Sequence, residues 1–220
     1  MLKDVAVIGL GRFGASVAVT LQQSGVSVMG IDVLQENVVA VAGVLTQAVQ
    51  ADATDEHAVK ELGVRNCDAV VVAIGSNVSA SLLVTVMLKD LGVKQIIAKA
   101  STELHARALK LVGADRVVLP ERDMGKRIAN CLTSPSLLDY IDLSPDHSVM
   151  EVTVTEFLAG KTLRQLDLRN RYDANVIAFR RGNHMNMAPR ADDSIETGDV
   201  LVLAGGNEGL EKLLSKLQSR

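Results

Sequence analysis

The residues with the clearest chemical potential lie near the N-terminus, in the run Gly9-Leu10-Gly11-Arg12-Phe13-Gly14. This Gly-x-Gly-x-x-Gly spacing directly follows a predicted strand and opens a predicted helix. Gly9 permits a tight turn, Gly11 lets a pyrophosphate approach the backbone, and Gly14 allows the helix to pack closely on the strand. Because the free N–H groups at a helix start suit phosphate oxygens, the run predicts a phosphate-binding loop.

An acidic residue, Asp32, ends the second predicted strand, 18 residues beyond Gly14. A carboxylate at this position accepts hydrogen bonds from both ribose hydroxyls and repels a 2′-phosphate. The loop and this carboxylate together predict an adenosine mononucleotide or dinucleotide ligand, and they argue against NADP.

Arg12 bears on which nucleotide is bound. Its guanidinium could pair with a terminal phosphate through parallel charge-assisted hydrogen bonds. Since a dinucleotide has no terminal phosphate, this residue favours a mononucleotide. The alternative interpretation is an exposed arginine on the first turn of the helix.

Further candidates follow the ends of later predicted strands, at the edge where doubly wound sheets bind ligands. They are Asp52, Ala53 and Thr54 after the third strand, Ala73, Ile74 and Gly75 at the end of the fourth, Lys99 at the end of the fifth, and Glu121 after the sixth. Asp52 and Thr54 suit adenine recognition but could equally cap the next helix. Lys99 could instead form a salt bridge. Glu121 could complement a helix dipole or meet a cation that bridges phosphates.

The elements that would position these residues alternate along the first 135 residues. Six nearly continuous apolar runs predict parallel strands buried on both faces, at 5–8, 26–31, 47–51, 69–74, 95–99 and 116–119. Helical patterns lie between them at 13–24, 35–44, 55–62, 77–91 and 103–112, and another follows at 122–132. The alternation predicts an α/β fold, a Rossmann-like doubly wound parallel sheet.

A polar break, Thr133-Ser134-Pro135-Ser136, marks the predicted boundary between a first domain at 1–135 and a second at 136–220. The later patterns predict a strand at 148–154, a turn and short helix at 159–168, a hairpin at 176–187, a strand at 200–204 and a helix at 208–217. They indicate a second, smaller α+β domain.

Composition argues against several other classes of protein. Only 2% of the residues are aromatic and the formal net charge is -3, so the chain lacks the rings and basic excess of a nucleic-acid binder. No apolar run approaches the ~18 residues of a spanning helix, and the start of the sequence lacks a signal-peptide pattern, which favours the cytoplasm. Neither Tyr140 nor Tyr172 has a lysine four positions on, and no histidine pair has metal-ligand spacing. No catalytic residue is therefore predicted.

Three stretches together resemble the RCK/KTN-type cytosolic regulatory subunits of Ktr/Trk-type potassium transporters. They are residues 7–14, Ala73-Ile74-Gly75, and the run 113–125 that contains Pro-Glu-Arg-Asp-Met-Gly. The resemblance covers the whole chain, including Gly-Asp-Val-Leu-Val-Leu at 198–203. It implies a regulator, not an enzyme, with an N-terminal nucleotide-sensing domain and a C-terminal ligand-binding domain.

The same resemblance implies roles for individual residues. ATP and ADP would compete for the glycine loop, with NAD as a further candidate ligand. Arg12 would contact the γ-phosphate, Glu121 a divalent or sodium cation near the phosphates, and Asp32 the ribose. Asp52, Ala53 and Lys99 would lie around the nucleoside.

The resemblance also implies partners. Nucleotide exchange would rearrange a homo-oligomeric ring of eight subunits, assembled from dimers, beneath a membrane-embedded potassium pore subunit. The chain would then be cytoplasmic and peripherally associated with the inner face of the membrane.

Some relatives bind cyclic di-AMP between paired C-terminal domains, and several residues here resemble their pattern. These are Leu168, Arg169, Asn175, Val176, Ile177, Ala178, His184 and Pro189. Aliphatic faces would meet adenine and Arg169 a phosphate, whereas an ordinary dimer interface explains the same residues.

Two other functions remain open from the sequence. An NAD-dependent oxidoreductase with a small substrate domain would use Asp32 in the same way. A cytosolic metabolite-binding module would share every feature except the potassium pore partner.

Overall fold

Short runs of β-branched residues form the six strands of the first sheet in the computed structural model, which describes residues 2–218. The strands are β1 (Asp4–Ile8), β2 (Ser27–Asp32), β3 (Gln47–Gln50), β4 (Ala69–Val72), β5 (Ile96–Lys99) and β6 (Arg116–Val118). All neighbouring strands pair in parallel, in the order β3-β2-β1-β4-β5-β6. The predicted doubly wound sheet is confirmed, and the carboxyl ends of its strands share one edge.

Five helices cover the two faces of this sheet. They are α1 (Arg12–Gln23), α2 (Gln35–Ala42), α3 (Glu56–Glu61), α4 (Val78–Asp90) and α5 (Glu103–Leu111), and a 3-10 turn lies at Val64–Asn66. One apolar cluster includes Val7, Ala18 and Val38, and another includes Ile8 and Val84. Because both faces are covered, the strands are apolar throughout and do not alternate.

The next helix, α6 (Pro120–Thr133), spans the division of the chain into two compact units, Met1–Glu121 and Arg122–Arg220. The sequence-based boundary near residue 135 lies at the other end of this helix and stays a prediction. Residues 219–220 of the predicted second domain lie outside the described residues.

The second unit is built on an antiparallel sheet. Its strands are β7 (Leu137–Asp142), β8 (His147–Thr153), β9 (Ala174–Arg181), β10 (His184–Asn186) and β11 (Val200–Gly206), in the order β10-β9-β11-β8-β7. The helices α7 (Leu163–Leu166), α8 (Leu168–Tyr172) and α9 (Asn207–Gln218) complete it. Its own apolar core includes Met150, Leu201, Leu203, Leu210 and Leu213. The smaller α+β architecture is confirmed.

No helix within residues 2–218 has the length and apolar composition that crossing a membrane requires.

The strand β7 and the helix α8 are absent from the sequence-based predictions. β7 carries Asp139 and Asp142, and acidic residues are depleted in strands. In the structure Asp139 pairs with Arg127, and Asp142 lies 2.8 Å from the ammonium of Lys126. Both cations belong to α6, 12 and 16 positions earlier in the chain, so no local pattern reveals the pairing.

Candidate functional site

The glycine loop joins β1 to α1 at the carboxyl edge of the first sheet. Gly9 has a φ of +92°, and a Cβ added there would lie 3.0 Å from the carbonyl carbon of Ala73. A Cβ on Gly14 would lie only 1.8 Å from the carbonyl oxygen of Gly9. The backbone itself therefore requires glycine at both positions.

Gly11 has a different environment, because no atom outside the adjoining residues of its own chain segment lies within 4 Å of the position that its Cβ would take. It is the N-cap of α1 and forms no side-chain hydrogen bond, and no acidic residue lies in the first turn. By contrast, the side chains of Asp55, Asn77 and Thr102 cap α3, α4 and α5. The start of α1 thus combines open space with N–H groups that its N-cap leaves unsatisfied, which suits an anion.

Asp32 is buried at the end of β2, with 8% of its surface exposed. Its Oδ2 accepts hydrogen bonds from the N–H of Leu10 at 2.6 Å and from Nδ2 of Asn37 at 3.1 Å. Its Oδ1 accepts one from the N–H of Leu34 at 2.8 Å. Since a carboxylate offers about four lone-pair sites, capacity for a ribose hydroxyl remains.

Two partners of Asp32 escape the sequence-based prediction. Asn37 lies in the first turns of α2, where an asparagine carries no specific signal, and Leu10 contributes only its backbone. The glycine motif does indicate a free N–H at this loop, and Asp32 is predicted at the end of the neighbouring parallel strand. These two signals together could have indicated the hydrogen bond between the loop and Asp32.

Lys99 and Glu121 form an ion pair at the same edge. The ammonium of Lys99 lies 2.6 Å from Oε1 of Glu121 and 5.6 Å from the centroid of the Phe13 ring. A Cβ on Gly75 would lie 3.2 Å from this ammonium. The side chain of Lys99 is 14% exposed and that of Glu121 is 71% exposed. The salt bridge that the sequence allowed for Lys99 is therefore formed, at the predicted ligand edge.

The charges around Glu121 affect its protonation. The hydrogen bond from Lys99 is the largest influence that lowers the pKa of Glu121 below its ordinary value, and the charge of Arg12 contributes in the same direction. Glu121 therefore stays ionised to a lower pH than an ordinary glutamate does.

Asp52 and Thr54 form a local turn at the end of β3. The Oδ1 of Asp52 accepts hydrogen bonds from the N–H and the hydroxyl of Thr54, at 2.9 and 2.7 Å, and these lower the pKa of Asp52. Asp55 caps α3 through the N–H of His57, so the alternative interpretation of Asp52 and Thr54 as caps of this helix is wrong. Ala53 is buried between them.

Backbone hydrogen bonds bring the remaining candidates to this edge. The N–H of Ala73 donates to the carbonyl of Ile8 at 2.7 Å, and the N–H of Ala51 donates to the carbonyl of Asp32 at 3.0 Å. The structure thus places the predicted residues of the first unit along one sheet edge. Among residues 2–218, no three His, Cys, Asp or Glu side chains converge as a metal site.

The eight residues matched to the cyclic di-AMP pattern lie on α8, β9, β10 and the segment that follows. Arg169, Asn175, Ile177 and His184 are exposed, Val176 and Pro189 are half-buried, and Leu168 and Ala178 are buried. A cavity of about 620 Å³ in this unit is lined by residues of 145–147, 170–173 and 206–212, and by none of these eight.

Comparisons with known proteins match both units. The TrkA-N domain family matches residues 5–120 and the TrkA-C domain family matches residues 149–218. The chain is 45% identical over 205 residues to Ktr system potassium uptake protein C of Bacillus subtilis (strain 168), covering 93% of each chain. It is 38% identical over 217 residues to Ktr system potassium uptake protein A of Vibrio alginolyticus, covering 99% of this chain and 97% of that one.

A solved structure shares the fold. The structure described as the GsuK channel aligns over 100% of this chain and 40% of its own, with a TM-score of 0.72 and 19% sequence identity.

A parallel sheet with a glycine loop after β1 and an acidic residue at the end of β2 defines the first unit as a Rossmann-type domain. The chain belongs to the TrkA-N/TrkA-C family of potassium uptake proteins, and the resemblance to Ktr/Trk-type regulatory subunits is confirmed.

Proposed function

We propose that this chain is the regulatory subunit of a potassium uptake system and that it senses nucleotides at its glycine loop. One observation carries the proposal: the open N-terminus of α1 lies beside the buried carboxylate of Asp32, which is bonded to the same loop. The names of the relatives, Ktr system potassium uptake proteins, support the transport role.

ATP and ADP are the proposed ligands. Their phosphates would accept hydrogen bonds from the start of α1, Arg12 would meet the terminal phosphate, and Asp32 would hold the ribose. Asp52, Ala53 and Thr54, at the adjacent strand end, would lie near the adenine. NAD is a competing ligand, since Asp32 suits it equally and one structure of the same fold is described as a GsuK channel bound to NAD.

Binding would regulate without catalysis. A ligand shifts a conformational equilibrium by its differential affinity for two states, so no bond needs to break. A divalent or sodium cation that accompanied the phosphates would take Glu121 as its carboxylate ligand, and Lys99 would have to release Oε1.

The proposed partners are a membrane-embedded potassium pore subunit and further copies of this chain in a ring of eight, at the cytoplasmic face of the membrane. Large apolar side chains that are exposed on three helices support self-association. They include Leu83 of α4, Leu104 and Leu111 of α5, and Met124, Ile128 and Leu132 of α6. Cyclic di-AMP is the proposed ligand of the second unit.

Calorimetry with ATP, ADP and NAD tests the nucleotide site. We expect wild-type protein to prefer ATP over ADP and Arg12→Ala to lose that preference, while Arg65→Ala, an exposed arginine before β4, retains it. An equal preference in wild type and Arg12→Ala would overturn the role of Arg12. Tight NAD binding with carbonyl reduction would favour an oxidoreductase instead.

Co-purification and flux measurements test the partner. We expect the chain to co-purify with a membrane potassium pore subunit, and potassium flux through the reconstituted pair to depend on added ATP or ADP. Exclusive association with a soluble protein would favour a metabolite-binding module.

A further inference from the structure

Lys99 occupies an unusual position for a lysine, because most of its side chain is withdrawn from water. The ammonium lies between the Phe13 ring, Gly75 and Glu121, and only 14% of its side chain is exposed. Withdrawing an ammonium from water is unfavourable unless an opposite charge and an aromatic face compensate for it. The ion pair with Glu121 and the Phe13 ring provide both.

The ammonium of Lys99 lies close to the backbone of the turn after β4. Gly75 follows β4, and any side chain there would begin 3.2 Å from Nζ. Phe13 belongs to the first turn of α1, so the same side chain that borders the glycine loop also borders Lys99. The fold therefore places the ammonium of Lys99 between the start of α1 and Glu121.

Glu121 also lies near the start of α1. The ammonium of Lys99, 2.6 Å from Oε1 of Glu121, is 5.6 Å from the centroid of the ring of Phe13, the second residue of α1, and the charge of Arg12 also acts on Glu121. Phosphates at the start of α1 would therefore approach a carboxylate, and two like charges at such range repel each other. The repulsion grows with the charge of the phosphate group.

We propose that Lys99 is a specificity-determining residue of the phosphate site, which neutralises Glu121 and so allows a highly charged polyphosphate to bind beside that carboxylate. The inference rests on the proposed nucleotide-binding function. In this proposal Lys99 acts on the bound phosphates through Glu121. If Lys99 contacted a phosphate directly instead, its contribution to nucleotide affinity would not depend on Glu121.

A double-mutant cycle separates these two actions. ATP, ADP and AMP affinities are measured by calorimetry in EDTA, so that no divalent cation replaces Lys99 as the neutralising charge. Lys99→Met keeps the length of the side chain and removes its charge. We expect it to weaken ATP binding about tenfold, ADP binding less, and AMP binding least, because the unpaired Glu121 repels each added phosphate.

The diagnostic variant is the double substitution Lys99→Met with Glu121→Gln. Since it removes the carboxylate together with its counter-charge, we expect ATP affinity to return to within about threefold of wild type. ATP affinity in the double variant as weak as in Lys99→Met alone would overturn the proposal and indicate direct contact between Lys99 and a phosphate.

The ATP affinity of the single variant Glu121→Gln gives a second test, in which the side chain of Lys99 is unchanged. Freeing the ammonium from its carboxylate should raise ATP affinity at least about threefold. Unchanged or weaker ATP binding by Glu121→Gln in EDTA contradicts the proposal, whether or not Lys99→Met folds.

A matched control comes from the other edge of the sheet. Lys94, which precedes β5, pairs with Asp68 at 3.1 Å and is 70% exposed. Lys94→Met should leave all three affinities unchanged. If wild-type protein binds none of the three nucleotides, the proposed function itself fails. If wild type binds ATP but the double variant shows no recovery, only the role of Lys99 fails.

Discussion

The backbone N–H of Leu10 donates a 2.6 Å hydrogen bond to Oδ2 of Asp32. The glycine loop after β1 and the acidic residue at the end of β2 are therefore one hydrogen-bonded unit before any ligand arrives. Asp32 has two tasks in this arrangement: it fixes the loop, and it presents its remaining lone pairs at the ligand edge.

The first prediction concerns Asp32→Ala. This substitution leaves the N–H groups of Leu10 and Leu34 without their acceptor, so the free energy of unfolding should fall by about 2–4 kcal/mol. Urea denaturation measures the loss. Asp55→Ala, which removes only a helix cap, should cost about 1 kcal/mol. An equal loss in the two variants would contradict the structural role of Asp32.

Two glycines of the loop should respond oppositely to the same substitution. Gly14→Ala places a Cβ 1.8 Å from the carbonyl oxygen of Gly9, so we expect protein that fails to fold or unfolds at much lower temperature. The added methyl group of Gly11→Ala meets no atom within 4 Å outside the adjoining residues, so this variant should fold with wild-type stability. Its methyl group would nevertheless enter the space proposed for phosphate, so ATP affinity should drop at least about tenfold. Thermal unfolding and calorimetry on the same samples distinguish the effects, and undiminished ATP affinity in Gly11→Ala would place the phosphates elsewhere.

A third prediction concerns pH and the second unit. Asp199, which is 3% exposed, accepts hydrogen bonds from Arg181 at 2.9 and 2.7 Å and from the N–H of Glu196 at 2.8 Å. Chiefly the Arg181 bonds lower the pKa of Asp199. Because the folded pKa lies below the unfolded value of about 3.9, this stabilisation is complete above that pH and is lost as the pH falls through the folded pKa.

The stability difference between wild type and Asp199→Asn should therefore be largest near neutral pH and shrink below about pH 4. The chain has no tryptophan, and its two tyrosines, Tyr140 and Tyr172, both belong to the second unit, so tyrosine fluorescence follows this unit. Asp192→Asn, at a side chain 81% exposed, is the control and should change little at any pH. A pH-independent difference for Asp199→Asn would argue against its ionic role.

The fourth prediction addresses cyclic di-AMP. Arg169 is exposed on α8, and charge-assisted bonds to a phosphate would depend on its guanidinium. Arg169→Ala should weaken binding of a fluorescent cyclic di-AMP at least about tenfold in a polarisation assay. Arg164→Ala, at an exposed arginine of α7 that pairs with Asp192, should bind as wild type does. Equal affinity in both variants would remove Arg169 from the site.

Much of the fold follows from local pattern. The strands of the first sheet are apolar throughout because both faces are covered, and the glycine spacing locates the loop without any long-range information. The turn of Asp52 with Thr54 was not predicted, although local pattern could have indicated it, since aspartate commonly bonds the backbone two residues on.

What the sequence could not predict are pairings between distant elements. Lys99 and Glu121 are 22 positions apart, and either could have met another partner at the same edge. Asn37 reaches Asp32 only because α2 returns over β2, and β7 is a strand despite Asp139 and Asp142 because α6 supplies their counter-charges. Such contacts depend on the packed geometry and not on residue periodicity.

The attachment of α6 to β7 has a consequence of its own. No residue of α6, from Pro120 to Thr133, is fully buried, and ion pairs from Lys126 and Arg127 tie the helix to the strand. The Lys126 pair is exposed and the Arg127 pair is half-buried, so dissolved ions screen both, the first more strongly; the Debye length is about 8 Å at physiological ionic strength and about 3 Å at 1 M. The electrostatic attraction between β7 and α6 therefore weakens as the concentration of dissolved salt rises. Potassium is one of the ions that contribute to this screening.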